Sequence, residues 1–160
     1  MPAFIALLRG INVGKAKRVR MEDLRGLLSG LGYTHVATLL NSGNAVFSAA
    51  GGKPEKHAVA IAAAIAQQLQ VDVPVIVQSA STLDAIVAGN PLASDTPDHS
   101  RLLVAFVKDT ASLEALASIA SIVVAPEQFV VGRHAAYLHC PSGILESKAA
   151  AALLGKVGKT

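Results

Sequence analysis

An α+β fold built of two tandem β-α-β units is what this sequence predicts, and three observations carry the expectation. Apolar runs such as Phe4–Arg9, Val36–Leu40 and Val73–Gln78 alternate with leucine- or alanine-striped segments of helical period. Their order up to Gln78 is β-α-β-β-α-β, the split motif of ferredoxin-like (α/β-plait) units. Near Arg101 the same order begins again and lacks only its last strand. The expected fold is therefore two tandem plaits, the second incomplete at the C-terminus: a first subdomain over 1–79, a linking helix and loop over 80–100, and a second subdomain over 101–160.

Each element has its own warrant. Phe4 to Arg9 reads as a buried strand. Leu24, Leu27, Leu28 and Leu31 recur at i, i+3, i+4, i+7, the stripe of a helix that begins near Met21 and lies on a sheet, and Gly32 is a suitable stop. Val36–Leu40 and Ala45–Phe47 flank Asn41-Ser42-Gly43-Asn44, a tight hairpin signal. Gly51-Gly52 breaks the chain, and Pro54 suits the first turn of an alanine-rich helix reaching about Gln70. Pro74, lacking an N–H, steers the Val73–Gln78 strand to a sheet edge. Ser81-Thr82-Leu83-Asp84 resembles a capping box, and Gly89-Asn90-Pro91 ends that helix. Residues 92–100 form a polar loop. Strand Arg101–Lys108, a helix over about 112–120, strand Gln128–Val131, the turn Gly132-Arg133-His134, strand Ala136–His139 and helix Leu145–Leu154 complete the second half.

Composition narrows the function classes. A chain of 160 residues buries enough surface to need no staples. Alanine inflates the hydrophobic fraction. The longest apolar run, Ala58–Ala66, is far short of the roughly 20 residues that span a bilayer, so no membrane partner is expected. The N-terminus has no secretory pattern and the single cysteine, Cys140, cannot form an internal disulfide, which together suit a cytoplasmic protein. Tryptophan is absent and aromatics are few, an argument against base-stacking platforms.

Charge is the most local signal. Six of the fourteen basic residues lie between Arg9 and Arg25, against Glu22 and Asp23 alone, so this segment carries +4 and the rest of the chain −1. In a split β-α-β the first two strands are parallel with the third between them, so the loop after Arg9 and the hairpin Asn41–Asn44 emerge at one end of the sheet. Arg9, Asn12, Gly14, Lys15 and Lys17 would then converge with Ser42 and Asn44. Guanidinium, amide, hydroxyl and glycine N–H groups in one place suit a phosphate or carboxylate, and the dipole of the first helix adds to the field. Solvated lysines and turn-capping asparagines explain the same residues without a ligand.

Sharper motifs fail on spacing. A nucleotide phosphate loop needs four residues between its glycines and a hydroxyl after the lysine; Gly10 and Gly14 enclose three, and Ala16 follows Lys15. Gly155-Lys-Val-Gly-Lys-Thr160 encloses two and has no helix after it. Ser42–Phe47 echoes an RNA-binding strand, with Asn44 where a stacking ring belongs. The five histidines have no metal-ligand spacing, and no metal or cofactor is implied. Acid–base chemistry would have to come from Tyr137, His139 or Lys148, each also explained by strand packing or a solvated helix face.

Leu7-Leu-Arg-Gly-Ile-Asn-Val-Gly14, Ser42-Gly-Asn44, Tyr137-Leu-His139 and Ser147-Lys148 together resemble the bacterial domain-of-unknown-function 1697 family, nearly end to end. The resemblance implies two α/β-plait subdomains and no established activity. This chain has Lys15 where the family usually has a second glycine, which makes the loop more basic. The resemblance implies a family that extends past its last helix with a Thr-Arg-Asn-Trp segment and a further helix; this sequence stops at Thr160, before that point, and leaves open whether the chain is cut short there.

Three functions follow as expectations. The first is an anion-binding module for a phosphate-containing small molecule or a nucleic-acid backbone. The second is an enzyme on a phosphorylated or carboxylated small molecule, with Arg9 and Asn12 orienting it. The third is an assembly protein whose strand edges pair two chains, and the sequence leaves the oligomeric state open.

Overall fold

The structure, a computed structural model, describes residues 1–15, 17–93 and 98–154. The Gly155–Thr160 near-motif, positions 94–97 of the polar loop and Ala16 lie outside the described residues. The chain divides into two compact units, Met1–Leu83 and Asp84–Thr160. Both are mixed α+β, each with one antiparallel sheet.

In the first unit, β1 (Ala3–Leu8), β2 (Thr34–Leu39), β3 (Asn44–Ser48) and β4 (Val75–Ser79) form a sheet in the order β2-β3-β1-β4. β3 lies between β1 and β2, the arrangement the element order predicts. β4 takes an edge, in keeping with Pro74. Alternation along β1 sends Phe4, Ala6 and Leu8 into the core, where they meet Ala45 and Phe47 of β3 and Val77 of β4. α1 (Met21–Gly30) and α2 (Pro54–Leu69) cover this face with Leu24, Leu27, Leu28, Ile61, Ala64 and Ile65.

The ends of these elements show where tertiary geometry moved the boundaries. α1 stops at Gly30, so the expected fourth stripe residue, Leu31, is its exposed C-cap. Gly32 follows at φ +90, its N–H donating to Ser29 O while Tyr33 N–H donates to Leu28 O. That pair of bonds is a Schellman stop, and glycine takes the left-handed position without a Cβ clash. β2 starts two residues earlier than expected because a bulge between Thr34 and Ala37, with His35 at φ +52, extends it backwards. Leu40 is a turn residue at φ +62 and not the end of the strand. α3 (Ala80–Ala88) begins before Ser81: the Ser79 hydroxyl accepts the Thr82 N–H at 3.1 Å and takes the cap role expected of Ser81.

The second unit holds β5 (Leu102–Phe106), β6 (Gln128–Val131) and β7 (Ala135–His139) in the order β5-β7-β6. Side chains pack on both faces of this sheet. Ala136, Leu138 and Cys140 meet Leu113, Leu116, Ile119, Ala149, Ala150 and Leu153, while Ala135 and Tyr137 meet Ile86 and Leu92. Two-sided burial is why β7 reads as continuous Ala-Ala-Tyr-Leu and not as alternation.

Two helices here differ from expectation. The segment read as one helix over 112–120 is a short α4 (Thr110–Ala115) running into a 3-10 stretch, Leu116–Ile122. Ser118 Oγ and Ser121 Oγ donate to the carbonyls of Ala115 and Ser118, three residues back. Those local bonds favour the tighter helix over α geometry. Asp109 caps α4 by accepting Ser112 N–H at 2.7 Å, and that bond holds its carboxyl below the usual carboxylate range. The last helix, α5 (Lys148–Leu154), starts three residues later than expected. Ser147 Oγ accepts Ala150 N–H and caps it, and Leu145 is left 99% exposed.

The Tyr137 hydroxyl donates to Ile86 O at 2.7 Å in the core, and burial raises its pKa. Tyr137→Phe leaves that carbonyl without its donor. We expect a stability loss of about 1–2 kcal/mol in urea unfolding with the denaturant slope unchanged.

Candidate functional site: the basic loop and the hairpin beside it

Among the described residues, four left-handed ones shape the loop leaving β1: Gly10 (φ +71), Asn12 (φ +55), Gly14 (φ +61) and Lys17 (φ +50). Ile11 and Val19 are buried and anchor its two arms. Between them stands Asn12. Its Nδ2 donates to Val19 O at 2.8 Å and to Asn41 O at 2.7 Å, and its Oδ1 accepts Val19 N–H at 2.9 Å. Its backbone N–H donates to Lys17 O at 3.1 Å, so the loop closes on itself around this residue. An amide can give two donors and accept in one plane, and left-handed backbone is tolerated by asparagine better than by most residues.

The hairpin is locked to the loop by a second device. Leu8 N–H donates to Gly43 O at 2.9 Å, and Gly43 is buried at φ +95. A Cβ placed there would lie 2.7 Å from Leu8 Cβ and 2.8 Å from Ile11 Cδ1. Asn44 Nδ2 donates to Leu39 O and to Ser42 Oγ, both at 3.1 Å, and so closes the turn. Residues about thirty apart in sequence therefore do meet at one end of the sheet. Two of the expected ligand groups, however, are spent on architecture: the side-chain amides of Asn12 and Asn44 hold backbone and the Ser42 hydroxyl.

The cations divide by partner. Arg20 pairs with Glu22 at 3.1 Å and Arg25 donates to Thr38 Oγ1 at 2.6 Å. Arg9 is half-buried at the root of the loop, its backbone N–H donating to Pro74 O. Lys15, Lys17 and Arg18 are exposed and have no ion pair among the described residues. The α1 N-terminus, expected to add a positive field, carries Glu22 and Asp23 in its first turn, which offset it.

In the second unit, Lys148 is exposed at the start of α5 and His139 is half-buried at the end of β7. Tyr137 is buried with its hydroxyl committed to Ile86 O, which removes it from acid–base work at an exposed site. Burial pushes the Cys140 thiol up, leaving little thiolate for chemistry.

Sequence patterns alone did not single out His57. It is buried in the first turn of α2, its ring against Phe4 at 4.6 Å and edge-on to Tyr33 and Phe47. A carbonyl only accepts, so Nε2 carries a proton toward Gly51 O at 3.0 Å, and Tyr33 Oη lies 2.8 Å from Nδ1. Gly52, at φ +107, leaves no room for a Cβ, which would sit 2.9 Å from Nε2. The Gly51-Gly52 pair before Pro54 was the available signal, and only the packing shows that a ring fills the space.

The family model described as "Protein of unknown function (DUF1697)" matches residues 1–137. The chain belongs to that family. The family match takes in the whole basic loop and the hairpin and ends within β7. Among solved structures, "conserved bacterial protein SP0830 from Streptococcus pneumoniae" is similar at a TM-score of 0.79 and 22% identity, over 97% of this chain and 87% of that one. At that identity the likeness shows the fold that the two chains share, and nothing of a ligand. No curated protein matches the chain.

Proposed function

We propose that the loop Arg9–Arg20 binds phosphate-bearing anions through Lys15, Lys17 and Arg18. The first unit serves as a ferredoxin-like plait that presents the loop, and the second as a shortened plait. The supporting observation is the contrast within the loop: the side-chain amide of Asn12 is consumed in holding one shape, and three exposed cations without ion pairs among the described residues remain on that shape. Exposed ammonium and guanidinium groups bind weakly one at a time and gain affinity from a ligand that repeats its charge, by releasing that ligand's counterions. A polyanion such as a nucleic-acid backbone or a polyphosphate therefore fits better than a lone phosphate, and a cytoplasmic location belongs to the same proposal.

The test is the triple charge reversal Lys15→Glu, Lys17→Glu, Arg18→Glu. Affinity for inorganic polyphosphate and for a short DNA duplex is expected to fall at least about tenfold, with the melting temperature unchanged. For the wild type on DNA, log K against log salt should slope at roughly −2 to −3, the value for about three phosphate contacts. An unaltered affinity in the folded variant rejects the proposal.

A further inference from the structure

The end of the first unit that carries the cations also carries the exposed aliphatics Val13, Leu39 and Leu40, at 70%, 68% and 70% exposure. They lie on two segments that adjoin. The hydrogen bond from Asn12 Nδ2 to Asn41 O binds the loop to the hairpin at the residues adjoining Val13 and Leu40. Val13 stands in the turn that Asn12 closes with Lys17, and Lys15 is in the same turn. The fold does not ask for these side chains. Leu40 sits at φ +62, where asparagine or glycine is sterically better, so its aliphatic chain is kept in a position that disfavours it.

We propose that this end docks on the surface of an anionic phospholipid bilayer, Val13, Leu39 and Leu40 entering the interface while Lys15, Lys17 and Arg18 meet lipid phosphates. The proposal rests on the anion reading above and names its source. Basic charge beside apolar side chains is the pairing that holds a protein on such a surface, each contribution alone being weak and reversible. A nucleic-acid backbone or a free polyphosphate would use the cations and leave the aliphatics in water. A bound acidic peptide would need its apolar contacts in a groove, and side chains more than two-thirds exposed protrude. No helix of the described residues is long and apolar enough to cross a membrane, and surface docking needs none.

Co-sedimentation of the full chain with phosphatidylcholine vesicles, with and without phosphatidylglycerol, reads the proposal directly. The wild type is expected to pellet only with the anionic vesicles. The variant Val13→Ser, Leu39→Thr, Leu40→Asn is expected to lose about tenfold in vesicle affinity and to keep its affinity for inorganic polyphosphate. Leu40→Asn alone, which suits the left-handed backbone, is the second variant should the triple one fail to fold, with a smaller loss in the same direction. Polyphosphate binding without vesicle binding overturns the bilayer assignment and leaves the anion reading standing. Vesicle affinity undiminished in the aliphatic variant overturns the bilayer assignment in the same way. So does binding of a short DNA duplex without pelleting on the anionic vesicles. Binding to neither probe overturns both.

Discussion

Asn12→Ala is expected to destabilise the first unit by about 2.5–5.5 kcal/mol. Three side-chain bonds disappear, to Val19 N, Val19 O and Asn41 O. Each is worth about 0.5–1.5 kcal/mol net, and the Val19 groups sit beside a buried side chain where water replaces the lost partner poorly. Alanine also tolerates φ +55 less well, at a further cost of about 1 kcal/mol. Urea unfolding measures the total. The informative companion is hydrogen exchange: the amide of Val19 should lose protection by more than the global change, because the loop opens locally before the sheet does. Asn12→Asp separates the donor role from shape. A carboxylate keeps the bond from Val19 N–H and loses both bonds to carbonyls, so most of the loss should persist. A variant as stable as the wild type would mean that the loop holds itself together without its central amide.

Gly43→Ala is expected to cost about 2–4 kcal/mol as well, by a different route. A methyl group at this position meets Leu8 Cβ at 2.7 Å, and that atom is fixed to the backbone of β1. Ile11 Cδ1 can swing aside; Leu8 Cβ cannot. The strands must separate locally, which strains the bond from Leu8 N–H to Gly43 O, and alanine is additionally disfavoured at φ +95. Gly14→Ala is the control. Its φ is +61, but among the described residues no atom beyond its chain neighbours lies within 4 Å of the added methyl, so only the backbone term of about 1 kcal/mol applies. Thermal unfolding of the two variants should therefore separate clearly. Equal losses would show that left-handed strain, and not the close approach of two strands, is the reason for glycine at Gly43.

Both variants act on the device that holds the loop against the hairpin, and so they bear on the anion reading. If the cations bind only as a set, a loosened loop should weaken polyphosphate binding although Lys15, Lys17 and Arg18 are untouched. Preorganised charges lose less freedom on binding than mobile ones.

Much of this architecture was legible in the chain. Phe4–Leu8, the Leu24/Leu27/Leu28 stripe and the Asn41–Asn44 turn each carry a local pattern strong enough to place an element, and a run of unlike elements in that order leaves few ways to lay out one sheet. The concentration of charge between Arg9 and Arg25 was a matter of counting. Boundaries were less legible, because they depend on competing short-range bonds. Ser79 rather than Ser81 caps α3, Ser147 delays α5, and Ser118 and Ser121 tighten the end of α4. A serine reads the same in sequence whichever backbone group its hydroxyl finds.

The sequence by itself determined the α+β composition, the order of elements in each half and the location of the excess positive charge. All three depend on residue periodicity and formal charge, which are properties of short windows. The tertiary structure alone decided which polar groups remain for a ligand. Asn12, Asn44 and Tyr137 look available until their partners are known, and those partners lie at Asn41, Leu39 and Ile86 as the fold happens to bring them. It also decided that His57 is a core residue among Phe4, Tyr33 and Phe47, and that Leu40 protrudes. Hydrogen bonds and close packing act over about 3–4 Å, so which groups they consume is settled only when distant segments have been brought into contact.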